Sequence, residues 1–469
     1  LNNIATIILA AGKGTRMKSD LAKVLHPLLG QPMLFYTIDL SLNEIKADQT
    51  IVVVGHQADQ IEERFKDSRI KFVRQDEQLG TGHAVLQVLP ALHGFAGTVL
   101  ILCGDVPLVR TETLRSFIDT FRGNDSTLAV LTAVLKDSFG YGRIIRGDEG
   151  WLERIVEEKD ASEEERLIRE INTGIYCVRA SFLKEGLKEI GKENAQGEYY
   201  LTDLVEVARR RGLRCSAHIV SNPVEVMGIN TRIDLATATE VLRLEKIKEL
   251  MLSGVTIIDP KATYIDRTVA IGKDTTLYPN CTLQGNTRIG ERCVIEPNSI
   301  ISNAEIGNNV TIRSCSVITE SRAEDGAIIG PFSHLRPQSE VKAKAKIGNF
   351  VEVKKSIIGK GSKANHLAYI GDALVGKEVN IGAGTITCNY DGFEKHPTVI
   401  GDRVFVGSNV ELVAPVTVGK QSSIAAGTTV TKDVPEGALA VSRVKQKNIR
   451  GWDKKMDLHH KKSRKKKDV

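Results

Sequence analysis

Beyond residue 270 the aliphatic side chains recur at every sixth position, a period that an α-helix cannot place on one face. They fall at Ile271, Leu277, Leu283, Ile289, Ile295 and Ile301, then one residue out of phase at Ile306, Ile312 and Ile318. A second series runs Ile400, Val406, Leu412, Val418, Ile424 and Val430, often with Gly next and a small Ser, Thr, Val or Cys four places on. Such a repeat demands short parallel strands stacked in coils around an aliphatic axis. Cys281 and Cys293 stand in the small-residue slot and are expected to be packing thiols. Between Ile318 and Ile400 the series reads as interrupted, and interruptions are where a solenoid is expected to admit binding groups.

The preceding residues, 4 to about 228, carry a different pattern. Short apolar runs at Ile4–Leu9, Ile51–Val54, Val99–Leu102, Leu128–Leu135 and Ile175–Val178 alternate with helical stretches. This predicts an α/β domain with a largely parallel sheet, whose ligands sit at the carboxyl ends of the strands. Residues 231–252 read as one amphipathic helix with Leu235, Leu242, Leu244, Ile247 and Leu250 on its apolar side. The expected organisation is therefore a domain over 1–232, a helical linker over 233–253, a solenoid over 254–453 and a tail over 454–469. At 469 residues the chain exceeds what one core can serve.

Charge locates rather than classifies. Residues 454–469 hold eight Lys or Arg against Asp457 and Asp468, which equals the whole formal excess of +6. The tail's composition predicts disorder and non-specific attraction only, so no specific nucleic-acid partner is expected. The chain shows no charged-then-apolar signal region and no apolar run near the ~20 residues that cross a bilayer. Seven scattered cysteines without a C-x-x-C fit reduced thiols in a cytoplasmic protein. The initial Leu1 reads as an alternative start codon or a processed end.

The chemistry is written at residues 9–25. Leu9-Ala10-Ala11 leads into Gly12 and Gly14, where missing Cβ atoms let backbone N–H groups approach a phosphate. There is no G-x-x-x-x-G-K-[ST], and Gly12-x-Gly14-x-x-Met17 lacks the third glycine of a dinucleotide fingerprint. Arg16 and Lys23 place fixed positive charge beyond the turn, as a reaction gathering charge on a triphosphate requires; the alternative is an ordinary turn with solvated basic side chains. Gln75-Asp76-Glu77-Gln78-Leu79-Gly80-Thr81-Gly82 suits either the edges of a base or a polar surface loop. Leu102-Cys103-Gly104-Asp105 ends a buried strand in a carboxylate, costly unless paired or bound to a metal such as Mg²⁺, which takes a few hard oxygens together with substrate phosphates. Asn230 is either the second metal oxygen or a helix cap.

The segment at 9–25 resembles the signature of sugar-1-phosphate nucleotidyltransferases. With the other segments it makes residues 1–452 resemble the bacterial bifunctional N-acetylglucosamine-1-phosphate uridyltransferase and glucosamine-1-phosphate N-acetyltransferase family. The resemblance implies a Rossmann-like nucleotidyltransferase domain, a connector helix and a left-handed parallel β-helix. It implies that Leu9, Ala10, Ala11, Gly12 and Lys23 hold the UTP phosphates, with Arg16 and Lys23 as catalytic cations. Gln75, Gly80 and Thr81 would take the uracil, Cys103 and Gly104 would line the site beside Asp105, and Asp105 and Asn230 would hold Mg²⁺. Gly140, Glu157 and Asn172 match positions that grip the sugar, in Phe-Gly-Tyr-Gly-Arg, Val-Glu-Glu-Lys-Asp and Glu-Ile-Asn-Thr-Gly. Ala22 departs from the usual proline before the lysine.

Residues of the apparent interruption extend the resemblance: Phe332-Ser333-His334-Leu335-Arg336-Pro337, Val351-Glu352-Val353-Lys354-Lys355, Asn365-His366-Leu367-Ala368-Tyr369 and Gly384 through Gly392. A model amine with a pKa of ~8 is partly protonated near neutrality, so amide formation on an amino sugar benefits from a base. The resemblance selects His366 as that base. It implies Arg336, Lys354, Tyr369 and Asn380 as sugar-phosphate ligands, and Ala383, Asn389, Tyr390, Ser408, Ala426 and Arg443 as the acetyl-CoA groove. His334 and Gln338 depart from a common arginine and glycine. The implied assembly is a homotrimer through the β-helix, and the implied role is supply of UDP-N-acetylglucosamine for peptidoglycan and lipopolysaccharide. The alternatives are a single-activity nucleotidyltransferase with a regulatory or oligomerising solenoid, and a non-enzymatic scaffold.

Overall fold

The computed structural model describes residues 3–147 and 150–456. The chain divides into two compact units between Lys248 and Glu249.

In the first unit, among the described residues, nine strands form one sheet. These are β1 (Ile4–Ala10), β2 (Gln49–Val54), β3 (Ile70–Arg74), β4 (Thr98–Cys103), β5 (Leu128–Val134), β6 (Arg143–Arg146), β7 (Leu152–Val156), β8 (Glu170–Arg179) and β9 (Cys215–Ile219). The main order is β9-β5-β8-β4-β1-β2-β3, with the β6–β7 hairpin joined to β8. β1 pairs in parallel with β2 and β4, whereas β8 runs antiparallel to β4 and β5, so the sheet is mixed. Alternate residues explain why these runs are apolar throughout. Ala5, Ile7, Ile51, Val53, Val99 and Ile101 enter one core, while Ile4, Ile8, Val52, Val54, Leu100 and Leu102 enter the core on the opposite face.

The connector helix runs Arg232–Leu252. Ala238, Leu242, Ile247 and Leu250 are buried, but Leu244 is 43% exposed, which corrects its expected place on the apolar side. Leu242 and Leu244 lie roughly 200° apart around a helix of 3.6 residues per turn and cannot share a face.

The second unit winds three parallel sheets, of 11, 10 and 9 strands among the described residues. Each strand pairs with the next coil of its own sheet: Ile271 with Ile289, Leu277 with Ile295, Leu283 with Ile301. The small slots are buried corners. Thr275 Oγ1 donates to Gly290 O at 2.9 Å and Ser362 Oγ to Gly376 O at 2.7 Å, satisfying carbonyls that no strand reaches.

The expected interruption is not one. Ala323, Ile329, Leu335, Val341, Ile347 and Val353, then Ile358, Ala364, Ile370, Val375 and Ile381, all point into the buried axis. Three steps in this stretch, 318 to 323, 353 to 358 and 370 to 375, are five residues instead of six, which hid the period. Register survives because whole coils shorten together: Ile301 pairs with Ile318 and Val353 with Ile370. The true insertion is 388–397, after which Thr387 pairs with Leu412.

One corner carries residues in the left-handed region: Asn280, Asn298, Cys315, Phe332, Phe350 and Leu367. Asn tolerates this conformation, but bulky residues rarely adopt it. Phe332, Phe350 and Leu367 are each more than half exposed, and the two rings stack at 5.3 Å. Residues 452–456 are helical, so the first three residues of the expected tail are ordered; its expected disorder at 457–469 lies outside the described residues.

Candidate active sites

A cleft of about 340 Å³ opens at the carboxyl ends of β1 and β4. It is lined by the expected Leu9, Ala10, Ala11, Gly12, Lys23, Gln75, Gly80, Thr81, Cys103 and Asp105, by Gln78 of the same amide-rich segment, and by Val24, Ala84 and Glu198, which sequence reasoning missed. Gly104 N–H donates to Leu9 O at 2.9 Å and locks the two strand ends together. A Cβ on Gly14, whose φ is +61°, would fall 2.5 Å from Lys23 Cβ, so glycine at this turn is what lets Lys23 pass beneath it.

Lys23 Nζ forms an ion pair with Asp105 Oδ2 and lies 3.3 Å from Asn230 Oδ1, to which Arg16 Nη2 also donates at 2.9 Å. Backbone brings the two acceptors together, since Ile229 N–H donates to Asp105 O at 2.9 Å. Asn230 does not cap the connector helix. Thr231 does so: its Oγ1 accepts Asp234 N–H at 3.2 Å while Asp234 Oδ2 accepts Thr231 N–H at 2.8 Å. Two hard oxygens therefore converge on one cationic centre, and that donor set fits a magnesium ion taking its remaining ligands from phosphate and water. Among the described residues no cluster of three or more His, Cys, Asp or Glu offers a metal cage.

Burial pushes the Cys103 thiol up to about 12, with Asp105 adding to the rise and Lys23 opposing it. It is a neutral donor, reaching Gly174 O at 3.4 Å. Gly174 N–H donates in turn to Asn172 Oδ1 at 2.9 Å, so the cleft floor runs into the expected sugar residues. A Cβ on Gly142 would meet Glu157 Oε2 at 3.4 Å and Asn172 Cβ at 3.5 Å, so these two side chains flank one bare glycine. Burial raises the Glu157 carboxyl, against a bond from Thr202. Gly140 N–H is held by Glu158 Oε2 at 3.0 Å. Gln75 is buried and turned inward, its Nε2 donating to Gly80 O at 3.1 Å. Gln78 Nε2 donates to Ala11 O at 2.8 Å, and Tyr199 pins the loop by accepting Gly82 N–H and donating to Leu79 O, both at 2.8 Å.

In the second unit His366 sits one coil above Asn349, and His366 Nδ1 lies 2.7 Å from Asn349 Oδ1. An amide oxygen only accepts, so this pairing assigns the proton to Nδ1 and leaves Nε2 free to take one. Arg336 Nη1 donates to Glu352 Oε1 at 2.8 Å. The ammonium of Lys395 holds Lys354 below the ordinary lysine value, with Arg336 adding to the effect. Lys395 was not legible because it lies in the 388–397 insertion, outside the repeat. A Cβ on Gly371 would fall 2.5 Å from Tyr369 Oη and 2.9 Å from Asn389 Nδ2, so a glycine lets both groups approach. Asn389 Nδ2 donates to Asp372 Oδ2 at 2.5 Å, and Tyr390 bridges Lys395 across the insertion. Ala383 O accepts Asn409 N–H at 2.7 Å, Ser408 O accepts Gly427 N–H at 2.9 Å, and Ala426 O accepts Arg443 Nη1 at 3.0 Å, which lines these residues along one corner. Asn380 lies between Lys363 and Phe405 in the sheet of His366. Among the described residues no hydrogen bond joins His366 to Arg336 or Lys354.

Residues 6–171 match the MobA-like NTP transferase domain, and residues 268–303 and 397–432 match the bacterial transferase hexapeptide (six repeats) family. The chain is 54% identical over 453 residues to the bifunctional protein GlmU of Geotalea uraniireducens (strain Rf4), covering 96% of this chain and 99% of that protein. The chain belongs to the GlmU family. The GlmU of Geobacter sulfurreducens is 53% identical over 96% of this chain and 98% of its own length, and that of an Exiguobacterium species 47% over 96% and 99%. Full-length likeness to bifunctional proteins makes this an enzyme with a metal-dependent nucleotidyltransferase unit and a left-handed β-helix acetyltransferase unit, and sets aside the single-activity and scaffold alternatives. Among the described residues no helix is long and apolar enough to cross a membrane.

Two GlmU departures acquire physical form. Ala22 N–H, which proline would lack, donates to Gln57 Oε1 at 2.7 Å. Gln338 sits at φ +63°, which explains why glycine is usual there. His334 is exposed and pairs in register with Glu352.

Proposed function

We propose that this GlmU chain makes UDP-N-acetylglucosamine in two steps, acetylating glucosamine-1-phosphate with acetyl-CoA and then transferring UMP from UTP to N-acetylglucosamine-1-phosphate with release of pyrophosphate. The observation that carries the second step is the convergence of Asp105 and Asn230 oxygens on one cation position beside the cleft. Mg²⁺ held there supplies Lewis-acid charge to the α-phosphate and the leaving pyrophosphate. The Gly12 turn, Arg16 and Lys23 hold the triphosphate, Gln75, Gly80 and Thr81 the uracil, and Gly140, Glu157 and Asn172 the sugar. No protein nucleophile is required, because the sugar phosphate is already ionised and needs only in-line positioning.

In the acetyl step the amine nitrogen attacks the thioester carbonyl, a C–N bond forms, the C–S bond breaks and CoA leaves as its thiol. His366 Nε2 takes the amine proton and passes it to the departing sulfur, with Asn349 holding the other nitrogen protonated. Arg336, Lys354 and Lys395 form a cationic cluster that a sugar phosphate neutralises. The exposed Phe332, Phe350 and Leu367 column supports a homotrimer packed through the β-helix. The products feed peptidoglycan and lipopolysaccharide, in the cytoplasm where UTP and acetyl-CoA are available. Functional boundaries follow as 1–232, 233–253 and 254–453.

His366→Ala is expected to lower CoA release by about 10²–10⁴-fold while leaving uridylyl transfer intact. Asp105→Ala is expected to do the reverse. Free thiol and pyrophosphate followed separately decide it, and equal loss of both activities in folded protein would refute the assignment.

A further inference from the structure

Lys23 is delivered to Asp105 by backbone with little regular structure, one 3-10 turn at Thr15–Met17 and a second that Lys23 itself opens at Lys23–Leu25. Just before it, Ala22 is buried and its N–H donates to Gln57 Oε1 at 2.7 Å. The other end of the same carboxamide, Gln57 Nε2, donates to Asp20 O at 2.5 Å. The orientation is fixed by chemistry, since a backbone N–H only donates and a carbonyl only accepts. One side chain thus grips both ends of Asp20–Ala22.

Gln57 is itself anchored to the cleft floor. It precedes the helix Ala58–Arg64 at φ +56°, a conformation uncommon outside glycine, and its carbonyl accepts Gln60 N–H at 3.1 Å and Ile61 N–H at 3.2 Å. His56 N–H donates to Ala11 O at 3.4 Å, and a Cβ on Gly55 would lie 2.9 Å from that same oxygen. Segment 55–57 is therefore tied to the turn that lines the phosphate side of the cleft.

We propose that Gln57 is a positioning residue for uridylyl transfer: its carboxamide sets the Asp20–Ala22 backbone and thereby the reach of Lys23 Nζ toward the transferring phosphate. The inference rests on the role given to Lys23 above. Positioning errors near 1 Å can cost about 10²-fold in rate, so the loss belongs in turnover rather than in folding.

The test exploits Ala22, whose φ of −52° and ψ of 136° are open to proline. Proline restrains the backbone covalently and has no N–H to present, so A22P makes Gln57 dispensable. In the full-length enzyme Q57A is expected to lower uridylyl kcat by about tenfold or more, with KM for N-acetylglucosamine-1-phosphate within about twofold and acetyl transfer unchanged. A22P is expected within about threefold of wild type, and Q57A/A22P within about threefold of A22P. Q57E keeps the acceptor but sets a carboxylate against Asp20 O; it should lose part of the rate and is the variant to read if Q57A does not fold. Wild-type turnover in Q57A, or a double variant as slow as Q57A alone, overturns the proposal. K23A separates the two readings: a slow K23A beside a normal Q57A removes Gln57's role and leaves Lys23's, whereas a K23A with full uridylyl transfer removes both.

Discussion

Asp203 sits beside Glu157, the proposed sugar ligand, with its carboxyl pushed up to about 6, first by burial and then by Glu206 and Asp160. A raised acid binds its proton more tightly in the folded chain than in the unfolded one. Its contribution to stability is therefore present at low pH and is lost as pH rises from about 4 through about 6. Asp203→Asn should stabilise the fold at pH 8 by about 1 kcal/mol, after discounting for the side chain's partial exposure, read as a higher thermal midpoint, and the gain should vanish near pH 4. An equal gain at both pH values would mean that packing, not ionisation, is the cause. At this scale the sequence was legible where a residue's neighbours in the chain give it a setting: Lys23 follows the glycine turn and Asp105 ends a buried strand. Asn230 stayed open between a metal oxygen and a cap, and Asn349, Lys395 and Gln57 were not legible, because their meaning comes only from the partner that tertiary structure brings to them.

The β-helix was legible as an element from its six-residue period, but the period alone could not bridge the five-residue steps. A reader of spacing sees broken phase; the pairing of Ile329 with Ile347 and of Ile347 with Ala364 sees continuous coils. The distinction has a measurable edge. Ile347 is fully buried on the axis and its neighbour Lys346 is exposed. Ile347→Ala should destabilise the second unit by about 2–5 kcal/mol, whereas Lys346→Ala should stay within about 0.5 kcal/mol. Denaturant unfolding followed by loss of acetyl transfer makes the comparison, and equal tolerance of the two would mean that the axis is broken there. In the first unit the strands were readable because both faces are buried, which makes their apolar runs continuous; the Tyr199 segment that pins the loop at 79–82 has no such period.

For the whole molecule, three exposed apolar side chains at one corner are a surface that water disfavours. If the proposed trimer packs on this column, Phe350→Glu should leave single chains by light scattering with uridylyl transfer kept; a charged variant that stays associated would show that the contact lies elsewhere. The 388–397 insertion carries a different lesson. It leaves the solenoid after Cys388 and rejoins at Thr398, and Ile381 still pairs with Val406 as if nothing had been added. Extra chain at a corner costs little more than loop closure, about 0.6 kcal/mol for each doubling of its length. A scaffold of this kind keeps support and chemistry on separate ledgers of sequence: the axis can stay fixed while corners lengthen, so new specificities can be tried without putting the fold at risk.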